Sequence, residues 1–288
     1  VTRFDTVLSR GNTSDVYAIG VDAVVKVPRP GVPDHWIEIE ATHAAAAHEA
    51  GLPTPMVLDV LDVDGRPAIV FERVDGPSML ERLATRPQLA ADLAEDMAAI
   101  QHAFHACVAP PELPDTRDRV RGKIDTAQRI GEGERAAAHA LLDTLDTGTS
   151  VCHGDVHPGN ILMGEQGPMV IDWFDATSGP PVADAVRSSL LVRPIPAIDA
   201  GRDHLPGVPV DVLDCFHRAY VTAIFGGLEV SSDAALSWEA VIAVSRLAEP
   251  VDSEIGELLS VWSAHGGRST TPTPLGEVLL ETPATSEQ

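Results

Sequence analysis

The chain has 288 residues, enough to bury a substantial core in one domain or two, and its 44% hydrophobic and 22% charged content is that of an ordinary globular protein. Forty-three acidic against twenty basic residues give a formal charge of −23, which disfavours nucleic acid and anionic membrane as partners and favours a cationic small molecule. No apolar run approaches the ~20 residues needed to cross a bilayer, the opening VTRFDTVLSRGNTSD lacks a signal-peptide core, and Cys107, Cys152 and Cys215 fit neither a disulfide framework nor a CxxC metal site, so a cytoplasmic protein is expected.

The first 75 residues read as strand-rich. RFDTVLS (3–9), TSDVYAIG (13–20) and AVVKVPR (23–29) are short strand-like runs, the last two joined by a tight turn around Gly20 and Asp22. DHWIEIEATHAAAAHEAG (34–51) favours helix through its alanines, and Gly51 with Pro53 and Pro55 marks its stop. MVLDVLDV (56–63) and PAIVFERV (67–74) flank Asp64-Gly65, a hairpin signal because both residues accept positive φ. The order is therefore β-β-β-α-β-β. After DGPS (75–78) helical patterns dominate, including a long amphipathic one over PQLAADLAEDMAAIQHAFHACVA. A second small hairpin is expected from ILM (161–163) and MVIDW (169–173), and helices again to about Trp262. Residues 1–75 read as a small mixed lobe and 76–265 as a larger helical one. The Thr- and Pro-rich 266–288 read as a mobile tail around a short LGEVLL segment.

CHGDVHPGNIL (152–162) crowds polar groups into one loop, and two chemistries compete for it. His153, Asp155 and His157 suggest a metal site, but Gly154, Pro158 and Gly159 oppose the helix that would align the histidines, and no HExxH pattern is present. Phosphoryl transfer accounts for more of the residues. It needs a carboxylate beside an acceptor hydroxyl (Asp155), oxygen ligands for magnesium (Asn160 five residues on, and Asp172 at the end of the next strand), and a lysine for the phosphates.

HGDVHPGN followed by VIDW resembles the catalytic loop and metal-binding strand of the aminoglycoside phosphotransferase and choline kinase-like superfamily. The resemblance implies an α+β, bilobal protein-kinase-like fold, with a small N-terminal antiparallel sheet plus one helix and a larger, mainly helical C-terminal lobe. It implies ATP, or GTP, as donor with Mg2+. On the same grounds Lys26 is the nucleotide-anchoring lysine, paired with a glutamate of the following helix. Glu40 is preferred to Glu38 because it shares the apolar stripe of Ile37, Ala44 and Ala47. Gly11 and Ser14, with the backbone of 12–14, are placed under the phosphates, and the backbone around Glu72 to Val74 against the adenine. Gly76 relieves crowding at the crossing between lobes. His153 and His157 become loop supports, the latter through loop carbonyls, and Asp184 ties a helix start to the catalytic loop. GPP at 179–181 replaces the family's usual GDP.

For the acceptor, Asp175, Glu239, Asp252, Glu254 and Glu257 are the candidate residues, as a ring of carboxylates for a polyamine-like guest. Three functions follow: an O-phosphotransferase inactivating a cationic antibiotic (an aminoglycoside or basic cyclic peptide), a metabolic kinase for an amino alcohol, sugar or vitamin, or a catalytically silent kinase-fold binding module. The expected partner is a small molecule, with no nucleic acid and no membrane, and the chain a monomer or homodimer.

Overall fold

The computed structural model describes residues 4, 6–11, 13–195, 205–249, 252–265 and 273–281. The chain opens with strands β1 (Thr6–Arg10), β2 (Ser14–Ile19) and β3 (Ala23–Pro28), continues into helix α1 (Asp34–Glu49), and returns through β4 (Val57–Val63) and β5 (Arg66–Glu72). The antiparallel sheet runs β1-β2-β3-β5-β4. The β4–β5 turn rests on Asp64 (φ 53°) and Gly65 (φ 85°), the left-handed pair that a two-residue hairpin needs. Alternation along β5 sorts its side chains between two small clusters. Ile69 packs under Ile37 and Ala41 of α1, whereas Ala68 and Val70 join Val25 on the opposite face. The N-terminal lobe therefore has a thin core on each side of its sheet.

The crossing to the second lobe passes so close to residue 163 that a Cβ on Gly76 would lie 2.4 Å from the Met163 carbonyl oxygen. Helix α2 (Met79–Thr85) then starts on a capping box. The Glu81 N–H donates to Ser78 Oγ at 3.1 Å, and the Ser78 N–H donates to Glu81 Oε2 at 2.7 Å. Helices α3 (Ala90–His105), α4 (Thr116–Thr126) and α5 (Glu132–Thr144) follow, then strands β6 (Ser150–Cys152), β7 (Ile161–Gly164), β8 (Gly167–Val170) and β9 (Thr177–Gly179). After these come α6 (Pro181–Val192), α7 (Val210–Gly226), α8 (Ser232–Arg246), α9 (Ile255–His265) and α10 (Pro274–Glu281). β6 pairs with β9 and β7 with β8, both antiparallel.

This lobe holds the main core. The scarce aromatics are concentrated in it, with Phe104, Trp173, Phe216, Tyr220 and Trp238 buried between α3 and α6–α8. Every residue of α6 from Val182 to Val192 is buried, so it is the central helix of the lobe. Pro180 and Pro181 start it. Proline suits the first helical position because that N–H has no intrahelical partner, so the GPP sequence fits the helix start. Within the expected tail, residues 274–281 form α10, which packs on α7 and α8. Leu275 and Val278 are buried there, and Thr273 Oγ1 donates to Glu239 Oε2 at 2.7 Å. Residues 266–272 and 282–288 lie outside the described residues. Among the described residues no helix is long and apolar enough to cross a membrane.

The architecture is the bilobal kinase-like one: a five-stranded antiparallel sheet with one helix, joined to a larger helical lobe.

Candidate active site

Lys26, in the middle of β3, meets both lobes. Its Nζ lies 2.5 Å from Glu40 Oε1 on α1 and 3.3 Å from Asp172 Oδ1 in the second lobe. Glu40 is buried and Glu38 exposed. Burial alone would lower the Lys26 ammonium, but the Asp172 and Glu40 carboxylates outweigh it and hold its pKa above the ordinary value. Burial lifts the Glu40 carboxyl to about 7, with Lys26 pulling the other way. Asp172 follows β8 in left-handed backbone (φ 70°, ψ 62°), a conformation that aspartate tolerates better than most residues and that still costs ~1 kcal/mol or more.

The loop after β6 is held from beneath. Gly154 has φ 77°, and a Cβ there would sit 2.5 Å from the Asp175 carbonyl oxygen, so both conformation and space call for glycine. Its N–H donates to Asp184 Oδ1 at 2.7 Å, and its carbonyl accepts from Arg187 Nε at 2.9 Å. The other Asp184 oxygen accepts from Gln101 Nε2 (2.9 Å) and His105 Nε2 (3.0 Å) of α3. Burial would raise the Asp184 carboxyl, but these donors bring it below its ordinary value. One buried carboxylate thus ties α3, α6 and the loop together.

His153 spends both ring nitrogens on the backbone: Nδ1 accepts from the Asp155 N–H at 3.2 Å, and Nε2 donates to the Ile171 carbonyl at 3.2 Å. Its ring packs 4.6 Å from Trp173. This leaves His153 no lone pair for a metal, which argues against the histidine-ligated alternative. His157 Nδ1 accepts from the Gly159 N–H at 3.1 Å within the same loop, and burial keeps its pKa below the usual value. Asn160 Nδ2 donates both to the Asp155 carbonyl (2.9 Å) and to Asp155 Oδ2 (3.1 Å). Its amide hydrogens being committed, the amide oxygen is the group left for another partner. Among the described residues no group of three or more His, Cys, Asp or Glu side chains is set to hold a metal ion. Asn160 and Asp172 nevertheless supply two hard oxygen donors, which suits an ion completing its shell with phosphates and water.

Lys26, Glu40, Asp155, His157 and Asp172 line one cavity of about 610 Å³ between the lobes, with Ser14 at its rim. Other candidates lie elsewhere. The Gly11 N–H is closed onto the Ser14 carbonyl at 2.8 Å, and Asn12 lies outside the described residues. Glu72 and Val74 are not among the lining residues, and the Glu72 N–H donates to the Met56 carbonyl.

The carboxylate ring expected for a cationic guest does not form. Glu239 is buried at 1% exposure against Arg193 and Thr273, and Glu257 pairs with Arg193 at 3.5 Å. Asp252 is exposed and pairs with Arg129. Asp175 and Glu254 line the cavity, but cations already occupy them: Arg119 and Lys123 on Asp175, Arg246 on Glu254. The acids were grouped by their place after Asp172 and on the C-terminal helices, whereas the basic residues that neutralise them come from distant elements.

The sequence reading also passed over residues that shape the cavity. Arg187 Nη2 lies 3.4 Å from Asp155 Oδ1, and its spacing of three from Asp184 on one helix was the available signal. Trp36 of α1 stacks on Phe174 (centroids 4.9 Å apart), and the Arg119 guanidinium lies 4.8 Å from the same Phe174 ring.

Fold and cleft together define a protein-kinase-like phosphotransferase architecture. The family model described as "Phosphotransferase enzyme family" (APH) matches residues 6–205, and the chain belongs to that family. Solved structures share the fold at low identity. The GDP complex of wild-type aminoglycoside 2'-phosphotransferase-IIIa is 17% identical, covers 92% of this chain and 94% of its own, and superposes with a TM-score of 0.54. A choline/ethanolamine kinase family protein from Mesorhizobium loti is 20% identical over 96% of this chain and 92% of its own, with a TM-score of 0.53. A thermostable mutant of aminoglycoside phosphotransferase APH(4)-Ia, in a ternary complex with AMP-PNP and hygromycin B, is 15% identical over 97% of this chain and 94% of its own, with a TM-score of 0.57. No curated protein sequence matches the chain significantly.

Proposed function

We propose that the protein transfers the γ-phosphoryl group of a nucleoside triphosphate, ATP or GTP, to a hydroxyl of a small molecule. The observation that carries this reading is Lys26, buried between Glu40 and Asp172 on one side of a cavity whose other side holds Asp155. Lys26 would steady the phosphate chain, kept charged by its two carboxylates. Asp155 would accept the hydrogen bond of the acceptor hydroxyl and take its proton. The hydroxyl oxygen then bonds to the γ-phosphorus, the bond from that phosphorus to the β–γ bridging oxygen breaks, and the nucleoside diphosphate leaves. Asn160 and Asp172 would hold Mg2+, which when bound supplies charge neutralisation at the phosphates. Presence of all four residues, together with the ordered loop, disfavours a silent binding module.

The test is Asp155→Ala. Phosphoryl transfer is expected to fall ~10²–10⁴-fold while Mg–ATP binding, measured by calorimetry, stays within a few-fold of wild type. Near wild-type turnover in this variant would remove Asp155 from the reaction.

A further inference from the structure

Beyond Asp155 the cavity wall is made by α4, α6 and the end of α8, and it is densely charged. Arg119, Lys123, Arg187 and Arg246 stand there against Asp175, Glu249 and Glu254. Leaving aside Asp155, four cations face three carboxylates, in a chain where acids outnumber bases 43 to 20. With Asp155 counted, which Arg187 also reaches, four cations meet four carboxylates, so the wall is neutral in a chain whose net charge is −23.

Two of the carboxylates on this wall are each engaged by several of these cations. Glu249 takes Arg187 (2.7 Å), Lys123 (3.0 Å) and Arg246 (3.3 Å). Asp175 takes Arg119, Lys123 (3.1 Å) and, further off, Arg187 (3.9 Å). Burial would raise both acids, yet the surrounding cations bring both below the ordinary carboxylate range. A cationic guest would have to compete with these cations for the carboxylates. An anionic guest would meet donors, because Arg119 and Lys123 keep 20% and 23% of their side-chain surface open, whereas Arg246 keeps 1%. Arg187 bridges this patch to the reaction centre, since the same Nη2 reaches both Asp155 and Asp175. Trp36 and Phe174 offer an apolar surface beside it.

We infer that the acceptor is a hydroxylated carboxylic acid, its carboxylate received by Arg119 and Lys123 while its hydroxyl is presented to Asp155. This rests on the phosphotransferase reading above and replaces the cationic acceptor expected from net charge. Arginine and lysine on one wall give a carboxylate charge-assisted hydrogen bonds, and the negative charge of the rest of the chain makes that wall the place where an anion gains most.

The experiment uses the whole protein with Mg–ATP, after calorimetry has shown that it binds the nucleotide. Transfer is measured across matched hydroxy acids, their methyl esters and amides, amino alcohols, neutral sugars and aminoglycosides. The expected result is a hydroxy acid whose kcat/KM exceeds that of its own ester and amide at least tenfold. Lys123→Gln and Arg119→Gln should shrink that ratio several-fold or more through KM for the acid, with KM for ATP within twofold, and Lys123→Arg should restore it. Transfer confined to cationic or neutral alcohols, an unchanged ratio in soluble variants, or no transfer to any acid by a protein that binds Mg–ATP would each overturn the inference. Should the variants not fold, the wild-type acid-to-amide ratio decides alone. Absence of Mg–ATP binding would instead overturn the phosphotransferase reading beneath it.

Discussion

The wall of the cleft that carries Lys26 sets one cation between two acids, Glu40 and Asp172, whereas the wall that carries Arg119 holds four cations and, with Asp155, four acids in overlapping ion pairs. On the first wall, geometry comes from the sheet: β3 fixes Lys26, α1 fixes Glu40, and Asp172 meets the same lysine from the second lobe. On the second wall no strand or loop motif sets the side chains, and a mesh of mutual ion pairs does so. Buried pairs are costly to desolvate and very costly to break one-sidedly, so each wall can be tested by removing one partner.

The largest effect is expected at the buried carboxylate that ties α3, α6 and the loop together. Asp184→Ala leaves the Gly154 N–H, Gln101 and His105 without their common acceptor, and unfolding free energy measured in urea should fall by about 3–5 kcal/mol, with transfer lost as well. A loss under 1 kcal/mol would show that the loop is held by something else. Lys26→Met comes next. Glu40 is left buried without its cation, stability should drop by about 3 kcal/mol, and affinity for Mg–ATP should fall at least tenfold; adding Glu40→Gln should recover much of the stability but none of the affinity. If the double variant is no more stable than the single one, the pair is not the cause.

The second wall answers to acid. Asp175, Asp184 and Glu249 have folded pKa values below their unfolded ones, so their contribution is complete above about pH 4 and is lost as pH falls further. Glu40 has the opposite sign: raised to about 7, its contribution is present below its unfolded value and is lost as pH rises through 7, so it adds no slope below pH 4. Denaturation midpoints between pH 5 and 2.5 should therefore decline steeply, toward ~1.4 kcal/mol per pH unit for each carboxylate. A flat profile there would dissolve the proposed mesh. The smallest effect is expected from Asp252→Asn. Its side chain is 88% exposed beside Arg129, and neither melting temperature nor transfer should change measurably.

How much of this was legible beforehand differs between the walls in the same way. The strand order, α1 and the Asp64-Gly65 turn were readable because period-2 and alanine-rich patterns are local. Asp155, Asn160 and Asp172 could be singled out as candidates because they fall within 21 consecutive positions, 152–172. The preference for Glu40 over Glu38 needed only the helical stripe. The acceptor wall was misjudged because Glu249 is unremarkable in RLAEP and becomes a hub only when α4 and α6 bring Lys123 and Arg187 to it. Likewise the net charge of −23 pointed to a cationic guest, since composition averages over a surface and says nothing about which few charges line a cavity. LGEVLL was read as part of a tail because its two anchoring residues, Leu275 and Val278, find their partners on α7 and α8.

The contact between Trp36 and Phe174 has a practical consequence. Of the four tryptophans, Trp173, Trp238 and Trp262 are buried in the large lobe, while Trp36 is 37% exposed and belongs to the small one. Any movement that parts the two bodies must peel the indole from its neighbouring ring and admit solvent around it. The chain therefore carries its own optical gauge: a red shift of tryptophan emission would report opening of the cleft in real time, with no label attached.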